Sequence, residues 1–191
     1  ADIPERPSTF PVTQMESRTT VRTSEATERP VVIKGRVWLV LRDNIDTDMI
    51  YHNQHLAVTE LKEMGKYTFG NLKGWEDFAR KAEPGDIIVT GRNFGSGSSR
   101  QQAVDCFKSL GCQAILAQSF GSIYERNAIN AGFPVLTCTD ISQLGLKDRD
   151  QVVIDLKKGT ITNERNNKSM EVSKFSNIQM KIYQTGDLLL L

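Results

Sequence analysis

The segment Gly91-Arg92-Asn93-Phe94-Gly95-Ser96-Gly97-Ser98-Ser99-Arg100 gathers the groups of this chain best suited to chemistry on an anion. Its three glycines allow backbone geometries that a side chain forbids. The apolar run Asp86-Ile87-Ile88-Val89-Thr90 precedes it. A helical pattern through Ala103, Val104, Phe107 and Leu110, ending at Gly111, follows. The segment therefore lies where a strand hands over to a helix, and a helix start offers unpaired N–H groups and the positive end of its dipole. Ser98 and Ser99 add hydroxyls there, and Arg100 adds a planar fork that can hold a carboxylate or phosphate by two hydrogen bonds. On residue types alone, an anion site and an ordinary capped turn stand level.

The glycine spacing fits neither a Walker loop, which closes on Gly-Lys-Ser/Thr, nor the G-x-G-x-x-G of dinucleotide sites. Upstream, Asp43, Asp46 and Asp48 cluster in Asp43-Asn44-Ile45-Asp46-Thr47-Asp48; Asp46 and Asp48, at i and i+2, can serve a cation or a proton relay, but on these residues alone ordinary turn chemistry is favoured. His52 and His55 share a helical spacing but lack a nearby third ligand, so surface or pocket-lining roles are expected. Cys106, Cys112 and Cys138 form no C-x-x-C pair, so neither a metal centre nor a disulfide framework is expected.

These groups must be positioned by one domain, since the chain has 191 residues. With 39% hydrophobic and 25% charged residues it can bury a core. A formal net charge of +1 gives no field for nucleic acid or an anionic membrane. No apolar run reaches the roughly 18 residues of a spanning helix, so no membrane partner is expected. Reduced thiols and the absence of a secretory pattern suit the cytoplasm. Residues 1–30, rich in Pro, Thr, Ser, Arg and Glu, are expected to be a flexible arm, and residues 31–191 a single folded domain.

Within that domain, Val31–Ile33 and Val37–Leu41 predict the first strand and Asp86–Thr90 the second. Residues 59–80 predict two short helices. Ala114–Ala117 and Pro134–Thr137 predict further strands, separated by a helix capped by Ser119. Alternating strands and helices with short connections imply an α/β layer with parallel pairing. Val152–Leu156 and Thr160–Thr162, around a Lys158-Gly159 turn, predict an antiparallel hairpin.

Asp43-Asn44-Ile45-Asp46-Thr47-Asp48, then Asn93 to Arg100, then Ala117-Gln118-Ser119-Phe120 with Arg126-Asn127, together resemble the 3-isopropylmalate dehydratase small-subunit family of the aconitase superfamily. The resemblance spans roughly residues 34–137. It implies a three-layer β/β/α swivelling domain, like the aconitase C-terminal domain, that closes over a larger subunit carrying a 4Fe-4S cluster. This chain itself is then expected to bind no metal. The implied reaction dehydrates a hydroxy di- or tricarboxylate and rehydrates the alkene on the neighbouring carbon. Carried over by position, Ser98 matches the serine base and Ser99 and Arg100 the carboxylate-binding pair. Asp48 matches an acidic residue with a proton-relay or orienting role. The family's substrate loop corresponds to Asn53–Thr59, where His55, Leu56, Ala57 and Val58 line the substrate and the apolar members suit an isopropyl group. This sequence departs from the family pattern at His55, at Gln101-Gln102 and at Ser122. Related hydro-lyases acting on citrate, homocitrate or other alkylmalates, and a non-catalytic anion-binding module of the same fold, are the alternatives.

Overall fold

The computed structural model describes residues 28–191, so the arm expected over residues 1–30 falls almost wholly outside the described residues. Arg29 belongs to the folded body. Its side chain donates to the carbonyls of Gly132 and Tyr183 and lies 4.1 Å over the Tyr183 ring.

Among the described residues seven strands form one sheet in the order β4-β3-β2-β1-β5-β6-β7. Strands β1 (Val32–Val40), β2 (Ile87–Thr90), β3 (Ala114–Ala117) and β4 (Val135–Thr137) pair in parallel. They are apolar because both of their faces are covered. The antiparallel half consists of β5 (Gln151–Asp155), β6 (Thr160–Asn163) and β7 (Ser169–Glu171), with β5 paired to β1.

Alternate residues of the parallel strands enter two separate cores, as the two-residue period of a strand requires. Trp38, Val40, Ile88, Ile115 and Val135 pack on the helical side with Phe69, Phe78, Phe94, Phe107 and Tyr124. On the other side Val37, Ile87, Val89, Leu116 and Leu136 meet Val152, Ile154 and Ile161, so the antiparallel strands curl over that face. The layers are thus β/β/α.

The helical layer holds α1 (Thr47–Ile50), α2 (Leu61–Met64), α3 (Phe78–Lys81), α4 (Gln102–Ser109) and α5 (Ser122–Asn130). Between β1 and β2 the chain makes only single helical turns, in agreement with the glycine-interrupted pattern there. A further helix, α6 (Asn177–Thr185), packs Tyr183 into the second core.

Helix α5 does not begin on Ser119 as predicted. Its N-cap is Gly121, and the Ser119 hydroxyl instead accepts a hydrogen bond of 2.8 Å from the Asn93 amide. A serine two residues before the N-cap is diverted when a neighbouring loop supplies a closer donor.

Candidate active site

The three sequence motifs meet where β1, β2 and β3 end, the edge at which parallel sheets offer their loops to ligands. Beyond Val40 and Thr90 the chain keeps the parallel pairing without being regular strand. Asn44 N donates to Arg92 O (2.8 Å), Gly95 N to Ile45 O (2.7 Å) and Thr47 N to Ser96 O (2.9 Å). On the other flank Phe94 N donates to Ser119 O and Gly121 N to Phe94 O, at 3.1 and 2.8 Å. The glycine-rich segment is therefore held between the other two motifs by main-chain bonds.

The glycines permit this crowding. Gly95 has φ +78°, and a Cβ there would lie 2.2 Å from the Tyr124 ring. Tyr124 is fully buried and donates its hydroxyl to the Ala103 carbonyl, which ties α5 to α4 and prevents the ring from yielding. Gly95→Ala is expected to cost about 3 kcal/mol, from the left-handed backbone and overpacking together. Urea unfolding of the chain checks this, and a loss under ~1 kcal/mol would show that the ring gives way.

Ser98 is exposed, and its carbonyl is fixed by the Thr47 hydroxyl at 2.9 Å. Among the described residues the Ser98 hydroxyl makes no hydrogen bond. Ser99, also exposed, accepts at its hydroxyl from Asn127 Nδ2 (3.0 Å) on α5. Helix α4 starts at Gln102, later than the serines, and its Ala103 and Val104 amides donate to the carbonyls of Arg100 and Gln101. The amides of Ser99 through Gln102 have no partner among the described residues, so they remain for an anion.

Arg100, with 14% of its side chain exposed, spends Nη1 on Asp48 Oδ1 (2.7 Å) and the Tyr51 carbonyl (3.1 Å). Its Nε and Nη2 donors make no bond among the described residues. The half of the guanidinium that can grip a carboxylate through two bonds is thus free, while the other half is anchored. Asp48 also accepts from the Asn53 amide and from Asn71 Nδ2, each at 3.1 Å. The hydrogen bond from Arg100 holds the Asp48 carboxyl below the usual carboxylate range, against the opposing effect of burial. A carboxylate kept ionised in this way orients its partners well and accepts a proton poorly. The geometry consequently favours the orienting role over the relay.

Loop Asn53–Thr59 is pinned from several sides. Tyr51 donates its hydroxyl to the His55 carbonyl (3.1 Å), and Gln102 donates to the Leu56 carbonyl (3.2 Å). The His55 ring stacks on Tyr67 with centroids 3.8 Å apart. Burial, followed by the charges of His52 and Lys66, pushes the His55 imidazole below its usual value, so it is neutral at neutral pH. Leu56 and Ala57 are exposed, whereas Val58 is half-buried against the helical-side core. Of the loop residues singled out from sequence, Leu56 and Ala57 present open apolar surface, and His55 and Val58 brace the loop from behind.

Sequence reasoning missed Tyr51, Asn71, Asn127 and Gln102 as supports. Their partners lie 23 to 49 residues away, and no local pattern encodes such contacts. Asp43 and Asp46 prove structural. Asp43 grips the Arg92 amide (2.7 Å) and guanidinium, and Asp46 caps α1 through the Met49 amide (2.8 Å).

No group of three His, Cys, Asp or Glu suited to a metal occurs among the described residues. The donors present do not fit an iron–sulfur cluster. Cys106 and Cys112 lie in the helical-side core and Cys138 in the other. Burial pushes the Cys106 thiol up to about 12 and raises the other two, while cluster ligation needs thiolates. No helix among the described residues is long and apolar enough to cross a membrane.

Residues 33–140 match the aconitase C-terminal domain family. A 3-isopropylmalate dehydratase small subunit of Halothermothrix orenii is 38% identical over 157 residues, 82% of this chain and 93% of the relative. The methanogen homoaconitase small subunit of Methanothermobacter thermautotrophicus is 40% identical over 157 residues, 82% of this chain and 88% of the relative. A crystal structure of 3-isopropylmalate dehydratase from Methanocaldococcus jannaschii superposes with TM-score 0.76 at 36% identity, covering 83% of this chain and 92% of that one. The family match over residues 33–140 takes in the parallel strands and the edge on which the three motifs converge, and the chain belongs to the aconitase C-terminal domain family.

Proposed function

We propose that this chain is the small subunit of a 3-isopropylmalate dehydratase, a hydro-lyase of leucine biosynthesis that interconverts 2- and 3-isopropylmalate. The observation that carries the proposal is Arg100. Its guanidinium is anchored on one side by Asp48 and Tyr51 and free on the other, directly after Ser98 and Ser99. The names of the relatives support it, since several are 3-isopropylmalate dehydratase small subunits. The partner is a large subunit, on which we place a 4Fe-4S cluster that supplies Lewis-acid chemistry at the substrate hydroxyl, and we place the assembly in the cytoplasm.

This chain's residues then divide the remaining work. Nε and Nη2 of Arg100, with the Ser99 hydroxyl and neighbouring amides, bind a substrate carboxylate. Ser98 Oγ, as alkoxide, takes a proton from the carbon next to the one bearing the hydroxyl and returns it on rehydration. Arg100 and the start of α4 supply positive potential that favours the alkoxide. Leu56 and Ala57 cover the alkyl substituent, whose burial is favourable at about 25 cal/mol per Å².

Homoaconitase and isopropylmalate/citramalate isomerase small subunits also occur among the relatives, and in our reading the loop carries the choice of substrate. Ala57, exposed between pinned neighbours, has room for a long side chain. With Ala57→Arg, kcat/KM for isopropylmalate is expected to fall about tenfold, and acids carrying a further carboxylate in place of the alkyl group gain relative to it. The panel comprises both isopropylmalates, citramalate, citrate and homocitrate. It is followed by alkene absorbance with this chain reconstituted anaerobically with its large subunit. An unchanged ranking in the variant removes the loop from specificity. A wild-type preference for another acid replaces the substrate assignment.

A further inference from the structure

Asp48 connects three separate parts of the site, and one of its partners has no other visible task. Oδ1 accepts from Arg100 and from the Asn53 amide, the first residue of the substrate loop. Oδ2 accepts from Asn71 Nδ2 at 3.1 Å, and the same nitrogen lies 3.2 Å from the Asp48 carbonyl. Asn71 is exposed, comes from the turns between α2 and α3, and among the described residues directs its amide to this residue alone. A carboxylate rotates over a broad torsional well when only one oxygen is held. Fixing Oδ2 therefore sets the direction in which Oδ1 meets both Arg100 and the loop.

We propose that Asn71 is a positioning residue for substrate: through Asp48 it fixes the free edge of the Arg100 guanidinium and the start of loop Asn53–Thr59. The proposal rests on the function proposed above, in which that edge grips a substrate carboxylate. The charged and titratable groups facing this cluster are Arg100 and His52 at Asp48, and His55, Lys66 and Tyr67, which with His52 and Asn71 line a pocket of about 220 Å³ beside it. Asn71→Asp puts a second carboxylate against Oδ2. Near neutral pH the two repel and compete for Arg100, and on acidification they share one proton, which restores the hydrogen bond. Asn71→Ala only removes the donor, so its effect is independent of pH.

The test uses the complex of this chain with its cluster-bearing large subunit, assayed with isopropylmalate from about pH 5 to 8. Asn71→Ala should raise KM roughly fivefold, with kcat within about twofold of wild type. Asn71→Asp should raise KM more than tenfold at pH 8, with the ratio to wild type shrinking as the pH falls. Because Asn71 is exposed, both variants are expected to keep the wild-type melting temperature, which circular dichroism of the same preparations checks. Wild-type KM in both variants overturns the proposal and leaves the function standing. The same pH-independent loss of kcat and KM in both also overturns it, by reducing Asn71 to a structural support. A wild-type complex without turnover of any acid in the panel overturns the function, and the proposal with it.

Discussion

Ser98→Ala should lower kcat of the reconstituted enzyme by about 10³-fold while KM stays within a few-fold of wild type. The asymmetry follows from placement. The Ser98 hydroxyl makes no hydrogen bond among the described residues, so its loss breaks no internal contact, and the carbonyl that fixes the turn belongs to the main chain and survives. In the proposed mechanism carboxylate binding stays with Ser99 and Arg100. Only the group that exchanges the proton disappears, and its contribution lies wholly in the transition state. Absorbance of the alkene gives the rate, and unchanged binding of substrate to the variant complex separates chemistry from affinity. A loss below tenfold would transfer the base to another residue.

Arg100→Lys should act on the opposite parameter. The expected fall in kcat/KM is about 10²-fold, carried mainly by KM. Arginine satisfies Asp48 and the Tyr51 carbonyl with one nitrogen and retains a planar edge for substrate. Lysine has a single ammonium that cannot do both. If it remains with Asp48 the substrate loses its two-bond grip, and if it turns to the substrate Asp48 is left without its cation. The acid limb of KM supplies a second check. Since Arg100 holds the Asp48 carboxyl below its ordinary value, the pair persists as the pH falls through roughly 4, where a free aspartate protonates. Its contribution is present above that range and is lost only below it. In Arg100→Met the same carboxyl should titrate nearer its ordinary value. An unchanged KM in Arg100→Lys would remove Arg100 from carboxylate binding.

Much of this was legible in the sequence because the informative signals are local. Continuous apolar runs marked β1 to β4 correctly, since strands covered on both faces need no alternation. The glycines marked the crowded loop, because only glycine tolerates both φ +78° and an aromatic ring against the α-carbon of Gly95. What the sequence hid was tertiary. Helix α6 buries chiefly the adjacent pair Ile182 and Tyr183, which forms no stripe at helical spacing and gave no signal. His55 offered nothing to show that its ring would lie on Tyr67, twelve positions on, nor did Val58 announce that it would face the core. The order of the three motifs was visible in the chain, whereas their lateral union is a property of strand order β3-β2-β1.

The loop that follows α1 is held largely by its main-chain atoms: the Asn53 amide, the His55 carbonyl and the Leu56 carbonyl are what Asp48, Tyr51 and Gln102 grasp. A clasp that reads no side chain at Leu56 or Ala57 is indifferent to what those positions carry. If the loop sets substrate preference as proposed, that preference is an exchangeable part, able to change by one or two substitutions while the scaffold stays still, which is the kind of surface from which a lineage of enzymes with one reaction and several acids can diversify.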